Sequence, residues 1–237
     1  MTQLENTARR RFLRGALGSA AFAGLPMAGL GAETTQSSGP DDWLNEVKGT
    51  HRCLFDFPQH KGGVPQLHML NFLNTYAQAY KVPAGQAGAV GTFYGLGSQA
   101  SISLAFNDAM WAKYAFGEYT GLKDASGNPY TRNVLYRPGK EDGHILTEAM
   151  QIPPVPALAG AMPALGIESL QKMGAKFLLC ANAFGGWCRE LEARGKGKAA
   201  DIEKELRANM LPGVTMVPAM VIAIEKAQSA GIKYNRQ

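Results

Sequence analysis

The chain is poor in the residues that build most metal and cofactor sites. Its 237 residues include 3 cysteines and 4 histidines. No two histidines have the i, i+4 spacing that places both rings on one helix face, so we predict no metal site. The full dinucleotide fingerprint is absent and no Ser/His/Asp arrangement is evident, so we predict no cofactor. Three cysteines leave at least one thiol unpaired in any disulfide arrangement.

Apolar runs of membrane-spanning length are also absent. The longest apolar run, residues 15–30, is too short and too rich in glycine and alanine to cross a bilayer convincingly. It follows the basic segment 9–14, which reads RRRFLR, and it ends before Ala32. This arrangement resembles the twin-arginine export signal of bacteria, a pathway that moves folded proteins. We therefore expect a signal peptide over residues 1–32, a periplasmic mature chain and no membrane attachment after cleavage. A basic unstructured tail is the alternative.

Strong net charge is missing once that segment is set aside. The whole sequence has 24 Lys and Arg against 19 Asp and Glu, a formal charge of +5. Cleavage after Ala32 would leave 20 basic and 18 acidic residues, a formal charge of +2. The basic isoelectric point is thus no argument for a nucleic-acid or membrane partner. About 205 remaining residues suit one domain with a sizeable core.

What the sequence does contain is a regular alternation of strand and helix patterns. Polar residues over 33–48 predict a flexible linker, and the domain is expected over 49–237. The pattern lacks a hairpin signal between strands and therefore favours a parallel sheet of about five strands with helices on both faces. The predicted strands span 51–57, 87–94, 176–180, 214–217 and 232–234, and the predicted helices span 64–82, 104–119, 167–173, 201–210 and 217–227.

One long region, about 120–163, interrupts this alternation. Its first part, 120–143, is polar, whereas 152–163 is almost wholly apolar and contains four prolines. The prolines argue against a regular helix over 152–163. An apolar loop of this kind either covers a pocket as a lid or is buried against another subunit, and we favour the subunit interpretation.

Three segments of the chain resemble the DsrE/DsrF-like family. They are GAKFLLCANA at 174–183, LPGVTMVPA at 211–219 and IEKAQSAGI at 224–232, with a weaker likeness in FNDAMW at 106–111. The resemblance implies a flavodoxin-like α/β fold, a three-layer sandwich, and assembly into trimers or hexamers. It also implies a sulfur carrier, which accepts a persulfide on one cysteine from a donor protein and passes it to an acceptor.

Cys180 matches the carrier cysteine of that family by position. It ends a predicted buried strand, and open parallel sheets bind ligands outside the carboxyl ends of their strands. We expect a turn after it, in which backbone N–H groups approach a bound anion or sulfur species. The residues of this predicted turn are Asn182, Gly185, Gly186 and Trp187. The alternative is that Cys180 is a small buried hydrophobic residue.

Two further groups remain open at this point. Cys188 is expected in the first turn of the next helix, which would lower its pKa and would also allow a disulfide with Cys180. Gly95 and Gly97 follow a strand and either cradle an anion or serve a tight turn. Cys53 is interpreted as a core residue.

The sequence thus predicts an exported sulfur carrier of reduced-sulfur metabolism, whose activity is at most that of a sulfur-transfer carrier protein. The alternatives are a small-ligand binding or assembly module, and a thiol–disulfide protein that uses Cys180 with Cys188.

Overall fold

A five-stranded, wholly parallel sheet organises residues 39–237, the part of the chain that the computed structural model describes. Its strand order is β4-β3-β2-β1-β5. The predicted α/β architecture, a flavodoxin-like three-layer sandwich, is confirmed. The strands are β1 (His51–Asp56), β2 (Ala87–Phe93), β3 (Lys176–Cys180), β4 (Val214–Val217) and β5 (Lys233–Arg236).

Helices connect the strands and cover both faces of the sheet, as parallel connections require. Short 3-10 helices at Asp42–Glu46, Lys61–Gly63, Ser101–Ala105 and Lys140–Gly143 supplement them. The α-helices are α1 (Val64–Gln78), α2 (Asp108–Tyr114), α3 (Phe116–Thr120), α4 (His144–Met150), α5 (Pro156–Leu165), α6 (Ile167–Lys172), α7 (Ala181–Ala193), α8 (Ala199–Ala208) and α9 (Met220–Ser229).

The two faces of the sheet carry separate apolar cores because side chains alternate along each strand. On β3, Phe177 and Leu179 join the larger core, which contains the apolar residues of α1 and α7. Leu178 and Cys180 join the smaller core, which lies under α9. We call these the α1 face and the α9 face. Cys180 therefore belongs to the less thickly covered side of the sheet.

The order of the strands defines where the chain changes direction. From β1 to β4, each new strand is added next to the one before it, in one direction across the sheet. β5 then pairs with the opposite edge of β1. Ligands of open α/β sheets bind outside the carboxyl ends of the strands, near such a switch of direction. The loop that leaves β1 lies at this switch.

Part of the segment predicted as a flexible linker, 33–48, belongs to the folded domain. Residues 42–46 form a 3-10 helix, and the side chains of Trp43 and Val47 are buried in the core of the α9 face. The sequence did not predict their burial, because one tryptophan and one valine among polar residues form no periodic pattern.

The expectation of no regular helix over 152–163 is wrong, because α5 begins at Pro156 and runs through this segment. Two prolines precede the helix and Pro156 occupies its first turn, where a missing N–H costs no helical hydrogen bond. Only Pro163 lies inside. Residues 151–157 are nonetheless exposed, so the apolar surface expected here does exist.

The single helix predicted over 104–119 is also wrong. A 3-10 helix ends at Ala105, α2 ends at Tyr114, and Ala115 adopts a left-handed conformation (φ 54°) before α3 begins. Within α3, the Gly117 Cα approaches the backbone of Tyr130 so closely that a Cβ would overlap it.

The predicted signal peptide, residues 1–32, lies outside the described residues. Within residues 39–237, no helix combines the length and the apolar character needed to cross a membrane.

Candidate functional site

Cys180 lies where a strand ends and a helix begins. It is the last residue of β3 and the N-cap of α7, so its backbone turns from strand to helix without a loop. It pairs in register with Val217, the last residue of β4, after which Pro218 and Ala219 lead into α9. The starts of α7 and α9 therefore meet beside one thiol.

Two backbone N–H groups donate to the Cys180 sulfur. Ala183 N lies 3.4 Å from Sγ in the first turn of α7, and Met220 N lies 3.3 Å from Sγ at the first residue of α9. Helix N termini carry partial positive charge, and donors of this kind favour an anionic sulfur. Cys180 is 5% exposed. The sulfur is thus both sheltered and surrounded by groups that stabilise negative charge.

A second polar group lies at the same edge of the sheet, around the buried carboxylate of Asp56. It accepts hydrogen bonds from Tyr94 Oη at 2.8 Å and from Tyr234 Oη at 2.7 Å. Thr92 Oγ1 donates to it at 3.3 Å. Burial, and then the bond to Asp56, raise the pKa of Tyr94 well above its ordinary value, so the phenol stays protonated.

Tyr94 lies at the same edge of the sheet as the cysteine. Phe93 of β2 pairs with Leu179 of β3, so the next residues, Tyr94 and Cys180, are level on neighbouring strands. Both pack with the core of the α9 face. Sequence reasoning missed this arrangement because Asp56, Tyr94 and Tyr234 are far apart along the chain. The one signal in the sequence was that each of the three residues lies in the last two positions of a predicted strand.

The turn predicted after Cys180 is wrong, because residues 181–193 form α7. Gly185 and Gly186 lie inside this helix, beyond its first turn, so their N–H groups are committed to helical hydrogen bonds. Trp187 is fully buried among aromatic rings, 4.8 Å between centroids from Phe116. Asn182 alone of the predicted binding residues has an exposed side chain beside Cys180.

Cys188 lies in the middle of α7 and not in its first turn. It is 1% exposed, and burial raises its pKa to about 12, the opposite of the expected shift. Eight helical residues separate it from Cys180, about 12 Å along the axis, whereas a disulfide needs Cα atoms within about 7 Å. Both cysteines are free, and they belong to different cores.

Cys53 is confirmed as a core residue. It lies on β1, it is buried in the core of the α1 face, and burial raises its pKa to about 11. Among the three thiols, Cys180 is the one whose sulfur accepts two backbone N–H groups in the described structure.

Gly95 and Gly97 form a tight turn after β2, with φ of 94° and 88°. The N–H of Gly97 donates to the carboxylate of Glu190 on α7 at 3.2 Å. The turn therefore does hold an anion, but that anion is a side chain of the same chain. This bond ties the turn to the helix that begins at Cys180.

No group of three or more His, Cys, Asp or Glu side chains within residues 39–237 is arranged to hold a metal ion. Comparisons of the chain with protein-family models, with curated proteins and with solved structures found no match. The DsrE/DsrF-like resemblance therefore stays a hypothesis carried by the quoted segments, and the site has to be interpreted from its own chemistry.

Proposed function

We propose that the protein is a sulfur carrier that holds a persulfide on Cys180. The observation that carries this proposal is the pair of backbone N–H donors, Ala183 N and Met220 N, that converge on one sulfur. A carrier has to stabilise anionic sulfur before and after transfer, and two helix starts meet this need without a cofactor. The quoted DsrE/DsrF-like segments add independent support.

The transfer is a thiol–persulfide exchange. The Cys180 thiolate attacks the terminal sulfur of a donor persulfide, R–S–SH, and forms a new S–S bond. The donor S–S bond breaks, and the donor leaves as the thiolate R–S⁻. An acceptor thiolate repeats this attack on the terminal sulfur and releases Cys180. No oxidant or reductant is consumed in either step.

Intact-mass measurement tests the proposal. Incubation with a polysulfide should add about 32 Da per sulfur atom, and dithiothreitol should remove it. Cys180→Ser should abolish the addition, whereas the matched controls Cys188→Ser and Cys53→Ser should retain it. Loading that persists in Cys180→Ser, or no loading of the native chain, would contradict the proposal.

A thiol–disulfide function has less support. Cys188 lies too far along α7 to reach Cys180, and its thiol is held neutral by burial. Such a function would require α7 to unwind in each cycle, at the cost of the packing of Trp187 and Leu191.

Export and assembly are proposed on other grounds. Export follows from the RRRFLR segment, and replacing Arg9 and Arg10 by Lys should leave the precursor in the cytoplasm of a twin-arginine-competent cell.

Assembly into a trimer or hexamer follows from the resemblance and from the exposed apolar residues 152–157. Light scattering should give a multiple of three monomer masses. Efficient export of the lysine variant, or a monomer at micromolar concentration, would remove the respective proposal.

A further inference from the structure

A cavity lies beside the loop that leaves β1, and residues far from Cys180 in the sequence line it. Its volume is about 610 Å³, within the range of small-molecule pockets. One wall is the segment around Lys61 and Gly62, and the other walls come from residues 120–123 and from α4 with Gln151. The loop leaves the carboxyl end of β1, the edge at which open α/β sheets bind their ligands.

The walls of this cavity are joined by a buried histidine. His60 is 5% exposed, and its Nδ1 accepts the N–H of Gly62 at 3.1 Å. Nε2 then carries the proton and donates to the Thr120 carbonyl at 3.2 Å. Burial lowers the pKa of His60, although the bond to Thr120 opposes this shift. Both ring nitrogens are occupied, so His60 fixes the distance between two walls and leaves the ligand to other groups.

The backbone of the cavity wall is held in uncommon conformations. Lys61 and Gln151 have φ of 40° and 56°, and both are non-glycine residues in the left-handed region. Gly62 is also left-handed, and a Cβ there would overlap Ala149 of α4 at 2.7 Å. Strain of this kind persists only where the surrounding structure enforces it, and it is concentrated at ligand sites. These close contacts and the αL cap of α4 at Gln151 fix the backbone of the cavity wall.

The lining combines an apolar floor with positive charge at the rim. Val64, Ala149 and Met150, none of them fully buried, supply the apolar surface. The ammonium groups of Lys61 and Lys123 are exposed, and neither forms an ion pair with a residue of the described chain. Glu148 places one carboxylate on the same wall. An apolar molecule with one anionic group fits this distribution, since its charge can lie between the two lysines.

We propose that this cavity binds a small amphipathic carboxylate, with its apolar body on Val64, Ala149 and Met150 and its carboxylate at Lys61 and Lys123. Glu148 would then weaken binding by repelling the carboxylate. Removing a lysine charge should therefore lower the affinity, and removing the Glu148 charge should raise it. The site is independent of Cys180, so it stands or falls separately from the sulfur-carrier proposal.

Calorimetric titration of the full chain with decanoate tests this site. We expect saturable binding with one decanoate per chain. Lys61→Glu and Lys123→Glu should each weaken it by about 5- to 10-fold, and Glu148→Gln should tighten it by about twofold. The control Lys196→Glu, an exposed lysine outside the cavity lining, should leave binding unchanged. Decan-1-ol, which lacks the charge, should bind more weakly to the native chain and equally to all four variants.

A filling variant distinguishes this cavity from nonspecific uptake. The side chain of Gln99 lies on the exposed rim, so Gln99→Trp should occupy the cavity without disturbing the core. It should abolish decanoate binding while the thermal unfolding temperature stays near that of the native chain. Absence of saturable binding to the native chain overturns the proposal. Binding that is equal in Lys61→Glu, Lys123→Glu and Gln99→Trp overturns it as well.

Discussion

The start and the middle of α7 place two cysteines in opposite chemical environments. Cys180 caps the start of α7, and its sulfur accepts N–H groups from Ala183 and Met220. Cys188 lies two turns further along the same helix, in the core of the α1 face, with a pKa raised to about 12. Both side chains are almost fully buried. The exposed fraction of the side chain therefore does not separate the two thiols, whereas the two N–H donors at the Cys180 sulfur do.

This difference follows from where a helix begins. The first N–H groups of a helix have no partner within it, so a sulfur at the N-cap meets donors that a sulfur in the middle cannot reach. At Cys180 a second helix start adds a further donor. A parallel sheet makes such meetings natural, because neighbouring strands end at the same edge and each is followed by a helix.

We expect the largest difference between the two cysteines in how much a serine substitution lowers the free energy of unfolding. Cys188→Ser places a hydroxyl in an apolar core and should lower the free energy of unfolding by about 1–3 kcal/mol. Cys180→Ser replaces one N-cap acceptor by a better one and should change it by less than about 1 kcal/mol. Denaturant titration measures both. Equal losses in the two variants would contradict the contrast.

Alkaline pH should sharpen the contrast further. The ordinary pKa of the Cys188 thiol is 9.0 and its folded pKa is about 12, so above pH 9 the unfolded chain loses this proton first. The stability that comes from burying the neutral thiol is complete below about pH 9 and is lost as pH rises. Between pH 9 and 10 the native chain should lose about 1 kcal/mol more than Cys188→Ala. Denaturant titrations at several pH values measure the difference.

The matched control for this pH dependence is Cys180→Ser, in which Cys188 is unchanged. Its stability should fall with pH at least as steeply as that of the native chain, because Cys188 is unchanged and the stabilised sulfur of Cys180 is gone. A native chain and a Cys188→Ala variant with equal slopes would contradict the burial argument.

Removal of one N–H donor should have the smallest effect. Met220 is the first residue of α9 and Ala219 before it is extended (φ −146°, ψ 131°), so the backbone suits proline at 220. Met220→Pro deletes the N–H and should slow the reaction of Cys180 with iodoacetamide by about fivefold, the equivalent of one modest hydrogen bond. Met220→Val, in which valine is close to proline in size, keeps the N–H donor. Its Cys180 should react as fast as that of the native chain. Equal rates in both variants would remove Met220 from the account.

The part of this site that lies on regular apolar strands was predictable from the sequence. The strand over 176–180 has the predicted bounds, because its uninterrupted apolar residues are typical of a buried parallel strand. The helix after it was missed because Gly185 and Gly186 suggest a turn. Phe184, Trp187, Cys188 and Leu191 have helical spacing and are all buried, and their packing outweighs the roughly 1 kcal/mol that each glycine costs.

The contacts between distant segments were not predictable. Met220 N reaches Cys180 only because β4 pairs with β3 in one register, and no local pattern encodes that register. The hydrogen bonds from Tyr94 and Tyr234 to Asp56 likewise depend on the order of β5, β1 and β2. His60 and Thr120 meet across 60 residues for the same reason.

Site-resolved alkylation of the native chain tests the central claim most directly. Brief iodoacetamide treatment near neutral pH, followed by peptide mass spectrometry, gives the relative rate at each cysteine. We expect Cys180 to react at least about 100-fold faster than Cys188 and Cys53, since two N–H groups converge on its sulfur whereas the pKa of the other two thiols is raised. Cys188 and Cys53 should react at ordinary rates once the chain is unfolded. Comparable rates at all three cysteines in the native chain, or a Cys180 that reacts only after unfolding, would contradict the account.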